Sequence, residues 1–188
     1  ILPLIDKKQE SAAEMAKEVI ELYSERFKEY WLSGMRQKLG LLTSEPEDEN
    51  LIQSLLNTMH ENEADFTLTF RRLCDAAFDK KMDRNLRNLF KDAAAYDKWS
   101  KSWRSRLSRE SVSTEERTKL MRKVNPAVIP RNHRVEQALN AAVENLDYGP
   151  FEKLVEVLSF PYEELEVQRE FMQPPKSGEH VLQTFCGT

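Results

Sequence analysis

The sequence predicts an all-α protein: an irregular multi-helix bundle of about seven or eight helices with an extended C-terminal tail. Two observations carry this. Apolar residues recur at three- and four-residue steps along most of the chain, and period-two alternation persists nowhere. Only five glycines occur in 188 residues, which leaves little material for tight hairpins. The helical domain reads as residues 1–161 and the tail as 162–188.

Each helix has its own signals. Ala12, Ala16, Val19, Tyr23, Phe27, Tyr30 and Gly34 keep one face apolar over about six turns, widened by Met15, Ile20 and Trp31. This is one long helix, or two with a bend near Ser24, closed by Gly40 as a C-cap. Pro46 and the acids around it mark the next start, where the macrodipole favours negative charge, and Leu51, Ile52, Leu55, Leu56 and Met59 continue it. Asp65 is placed to cap a helix bearing Phe66, Phe70, Leu73 and Ala77. A short helix holds Leu86, Leu89 and Phe90; the next presents Tyr96, Trp99, Trp103 and Leu107. Ser113-Thr114-Glu115-Glu116 reads as a capping box for a helix over Leu120 and Met121 that stops before Asn125-Pro126. Asn132 is placed to cap a helix of Val135, Leu139, Ala142 and Val143. After the turn Asp147–Pro150, a last helix carries Phe151, Leu154, Val155 and Leu158 and ends before Pro161.

Composition excludes several classes. Two cysteines make neither a disulfide scaffold nor a four-cysteine zinc site. No apolar run approaches the roughly 18–20 residues of a membrane span, so no membrane partner is expected. A chain that opens on Ile1 reads as a piece cut from a longer protein, so a missing leader says nothing about its address.

The net charge of −4 hides three blocks. Residues 1–70 carry 7 basic and 14 acidic groups, residues 71–134 carry 18 and 8, and residues 135–188 carry 3 and 10. The basic block either meets phosphate on a partner or is answered inside the fold by its acidic flanks; the second reading is the simpler.

Five constellations bear on chemistry. His60, His133 and His180 are scattered, with no HExxH, so a metal site would need ligands gathered from several elements; each histidine reads as a surface or cap residue. No glycine-rich phosphate loop is present, so no self-sufficient ATP site is expected and this chain should hold no cofactor. The stretch Lys98–Arg109 sets Trp99 and Trp103 among cations, as a single-stranded nucleic-acid platform would, but the same spacing suits a buried stripe with a solvated basic side. In the loop Asn125–Asn132, pinned by two prolines, Asn125, Arg131 and Asn132 are candidates for a ligand or interdomain contact, against the alternative that Arg131 binds helix-end carbonyls. Cys186, third from the end, is a possible redox thiol, whereas Cys74 among Leu73, Ala76 and Ala77 reads as inert core.

Several segments, in order, resemble the selenoprotein O family. They are Leu2–Asp6, Trp31–Leu41, Ala64–Leu73, Asn125–His133, Leu158–Tyr162 and Thr184–Thr188. The resemblance implies the C-terminal helical region of a pseudokinase-fold protein adenylyltransferase, which transfers AMP from ATP to protein hydroxyls with Mg or Mn. The family's ATP and metal residues lie upstream of the matched stretch, so none carries over. Partners implied are the missing N-terminal catalytic part and the protein substrates. The family also implies a redox role for Cys186, at the position where many relatives carry selenocysteine, although Leu182-Gln183-Thr184 lacks the second cysteine some of them have. Cysteine at that position suggests a bacterial source and, with it, a cytoplasmic location. Two other readings stand beside this one: a stand-alone helical interaction module, and, less favoured by a pI near 5.6, a nucleic-acid-binding helical domain.

Overall fold

The computed structural model describes residues 1–181 and 183. Among these no strand forms, and ten α-helices follow one another: α1 (Leu2–Ile5), α2 (Gln9–Leu39), α3 (Asp48–Glu61), α4 (Phe66–Phe78), α5 (Asp83–Arg87), α6 (Ala93–Leu107), α7 (Thr114–Val124), α8 (Asn132–Asn145), α9 (Gly149–Leu158) and α10 (Arg169–Met172). Three are single turns or little more, so the longer helices match the predicted number. The segment after Tyr162 is not extended throughout. A 3-10 turn over Glu166–Gln168 leads into α10, because the buried Gln168 side chain donates to the carbonyls of Val157 and Phe160 at the end of α9. From Gln173 to Val181 helix gives way to a bend, a turn at Ser177-Gly178 and irregular backbone.

Helix ends fall where the capping chemistry sets them. Asp65 accepts from the Leu68 N–H at 2.8 Å, Asp92 from Ala94 at 2.9 Å and Ser113 from Glu116 at 3.1 Å. Helix α2 runs unbroken through Ser24 and closes on Gly40 at φ 74°, whose N–H reaches the Arg36 and Gln37 carbonyls. A Cβ at Gly40 would lie 2.7 Å from Met121 Sδ and 3.0 Å from Arg117 Cγ, so glycine also lets α7 pack against this corner.

The core gathers around α6. Trp99 and Trp103 stack with centroids 5.5 Å apart, and their indole N–H groups donate to Leu51 O at 3.0 Å and Leu39 O at 2.9 Å. One face of α6 thereby locks the ends of α2 and α3. Around the tryptophans lie Leu55, Phe70, Leu73, Leu86, Tyr96 and Met121, all buried. Full burial of such side chains stabilises by roughly 1.5–3 kcal/mol each relative to exposure. Of the two readings of the Trp-rich stretch, the buried stripe is the one the fold adopts, and neither indole is free to stack on a base.

Gly40→Ala is expected to destabilise by about 2 kcal/mol, combining a left-handed residue with a clash against α7. Urea unfolding monitored by tryptophan fluorescence will read this as a lower midpoint at unchanged slope.

Candidate functional site

Three of the predicted site residues lie in one loop but do not share one cavity. Asn125 is buried, and its amide donates to Lys38 O at 2.9 Å and to Cys74 Sγ at 3.5 Å. Its own carbonyl accepts from Arg71 Nη1 at 3.0 Å, so it ties α2, α4 and α7 together. Arg131 is buried in a two-pronged pair with Asp65, at 2.7 and 2.9 Å, and also donates to the Met172 carbonyl at 2.8 Å. Its fork faces inward, joining the start of α4 to the end of α10. Asn132 is exposed, and it is the first residue of α8 rather than its cap; that place is taken by Arg131, whose side chain makes no capping bond. Cys186 lies outside the described residues. Cys74 is buried, and burial pushes its thiol up to about 11, as suits a core residue. His133, expected as a surface or cap residue, is buried with Nε2 unpartnered among the described residues, at a corner where Pro130–His133 and the tail residues Pro175 and Glu179–Val181 line one cavity.

Part of the basic block is answered within the chain. Arg106 is buried and donates to Asp48 at 2.7 Å, to Glu110 at 2.7 Å and to Thr43 O at 2.8 Å. Asp48 also accepts from Arg36 Nε and from the Glu45 N–H. Burial works to raise the Asp48 carboxyl, but the bonds from Arg106, the Glu45 amide and Arg36 outweigh it and hold the group below its ordinary value. Further pairs cross the blocks: Arg109 with Glu45 and Glu47, Arg71 with Glu164, and Arg134 with Glu170.

What the interior leaves uncovered is the first two-thirds of α2. At 1.5 Å per residue its 31 residues span about 46 Å. Residues 17–30 are exposed on every side. Val19, Tyr23, Phe27 and Tyr30 form a stripe, with Tyr23 and Phe27 ring centroids 6.0 Å apart and Tyr30 still 78% exposed. Glu14, Glu18, Glu21, Glu25 and Glu29 occupy the opposite face. The helix enters the bundle through Trp31, Leu32, Met35 and Leu39. At 100° per residue Leu32, Met35 and Leu39 lie roughly 125–175° around the axis from the centre of the stripe, and Trp31 about 85°. The stripe therefore points away from the bundle that holds the helix. Sequence periodicity found this apolar face but could not tell that its cover is not in the bundle. A second uncovered patch, Leu139 and Val143 on α8 with Phe151 and Val155 on α9, lies on the helical hairpin near the C-terminus.

Among the described residues no group of three His, Cys, Asp or Glu side chains is arranged to hold a metal ion, and no helix is long and apolar enough to cross a membrane. The structure thus defines a class: an all-α scaffold with buried ion pairs and an amphipathic arm whose apolar face the other described residues leave exposed. The chain belongs to the protein adenylyltransferase SelO family, whose profile matches residues 4–159. It is 50% identical over all 188 residues to the protein nucleotidyltransferase YdiU of Rhizobium etli (strain CIAT 652), 48% to that of Rhizobium meliloti (strain 1021) and 47% to that of Agrobacterium fabrum (strain C58). The chain spans 38% of the length of each of these relatives.

Asp65→Asn keeps a capping side chain but leaves Arg131 without its charge partner. We expect a loss of roughly 3 kcal/mol at pH 7. The Asp65 carboxyl sits below its ordinary 3.8: burial raises it, but Arg131 and the Leu68 N–H lower it more. A depressed folded value gives stability that is complete above the unfolded value and lost as pH falls through the folded one. Urea midpoints measured from pH 7 to pH 2 should therefore stay apart for wild type and Asp65→Asn down to the ordinary carboxylate value and converge only as pH falls through the lower, folded one.

Proposed function

We propose that this chain is the helical region of a protein adenylyltransferase and braces a catalytic part that it does not itself contain. In this reading the whole protein transfers AMP from ATP to hydroxyl side chains of other proteins, with Mg or Mn at the catalytic part. The bacterial relatives support a cytoplasmic setting for it. The observation that carries the reading is the α2 stripe, an aromatic face turned away from its own bundle. Exposed apolar faces of this kind mark docking sites, and an amphipathic helix laid in a groove is a common way to meet one. The length of the relatives supplies the occupant, since most of each relative lies outside the region matched by this chain. An isolated helical segment of about 14 residues is marginal in water, so a partner would also stabilise the arm.

The test is reconstitution. The remaining portion of the Rhizobium etli relative, expressed separately, should bind this chain in surface plasmon resonance. Replacing both Tyr23 and Phe27 by Asp should weaken that binding at least tenfold while shifting stability by no more than about 0.5 kcal/mol, because both side chains are exposed. Equal binding by the double variant would overturn the reading. Calorimetry of this chain alone with ATP and magnesium should show no heat of binding, and micromolar binding would count against a bracing role.

A further inference from the structure

We infer that the cleft between α4 and the returning tail is a seat for a single oxyanion, with Arg72 as its principal ligand. One face of α4 presents Leu68, Arg71, Arg72 and Asp75 at helical spacing, and the tail closes the other side with Glu164, Leu165, Arg169, Met172 and Gln173, around about 260 Å³. Three guanidinium groups line this space. Arg71 is held by Glu164 at 2.6 Å and by the Asn125 carbonyl, and Asp75 is held by Arg122 at 2.6 Å. Both lining carboxylates therefore already have a cation. Arg72 has no counterpart: among the described residues it makes no ion pair, and its buried Nε has no hydrogen-bond partner. Arg169, at the rim, pairs only with the exposed Glu166 three residues before it.

A buried guanidinium N–H without an acceptor is costly, and a planar fork of donors matches a carboxylate or phosphate. Glu164 shows the chemistry on a small scale, since the wall already holds one carboxylate of the tail against Arg71. The space is below the range of drug-sized pockets, which suits one phosphate or one acidic side chain rather than a nucleotide. Because α4 and the tail alone line it, the seat is independent of the α2 docking surface.

Two sources can supply the group: diffusible phosphate, or a carboxylate carried by a partner. The 188-residue chain is titrated with inorganic phosphate and separately with acetate, at constant ionic strength held with sodium chloride, while NMR follows the Arg72 Nε–Hε signal. A saturable shift with phosphate but not acetate supports a phosphate seat. A saturable shift with acetate as well supports a carboxylate from a partner. Arg72→Gln should weaken the response of neighbouring tail amides at least roughly tenfold, Arg169→Gln should weaken it less, and Lys101→Gln, remote from the cleft, should leave it unchanged. No saturable shift with either anion overturns the proposal. So does an Arg72→Gln protein that folds and responds as wild type, or a Lys101→Gln loss equal to that of Arg72→Gln.

Discussion

Everything in the bundle's upper half depends on one buried cation. Arg106 comes from the last turn of α6 and meets Asp48 at the start of α3, Glu110 just past its own helix and the Thr43 carbonyl in the loop after α2. A buried guanidinium without such partners would be prohibitive; with every fork position engaged it fixes the angle between three elements. The same loop is held from its other side by Arg36 and Arg109. The tryptophans and this cluster hold the same two helix ends, the end of α2 and the start of α3.

Charge pairing also explains how a chain with such uneven blocks remains compact. The central basic stretch is drawn against the acidic segments before and after it: Arg71 and Arg134 pair with the returning tail, Arg131 pairs with Asp65, and Arg106 and Arg109 hold the α2–α3 loop. A nucleic-acid partner would have to compete with these internal carboxylates. Its stacking platform is also absent from the surface, since Trp99 and Trp103 are both committed to the core. The buried pairs set the geometry, while the exposed ones among them contribute little to stability.

The arm of α2 stands in contrast to this saturated interior. Its acidic side is well solvated and its aromatic side is not covered. Membership in the protein adenylyltransferase SelO family, at 38% of the length of its relatives, gives a physical setting in which such an arm makes sense.

The sequence by itself determined the helices and most of their ends. Asp65, Ser113 and Gly40 act locally, through bonds to backbone groups three or four residues away, so their signals are contained in the sequence around them. It also determined that α2 has an apolar face and that Cys74 belongs in the core. Only the tertiary structure decided which apolar faces find cover: Trp103 does and Tyr23 does not, although both sit on helical stripes of the same period. Tertiary structure alone also turned Arg131 inward to Asp65, 66 positions earlier, took the capping place from Asn132 and left Arg72 Nε without a partner among the described residues. The reason is range: periodicity and capping are set within a few residues, whereas burial and ion pairing depend on segments that meet only after the chain has folded.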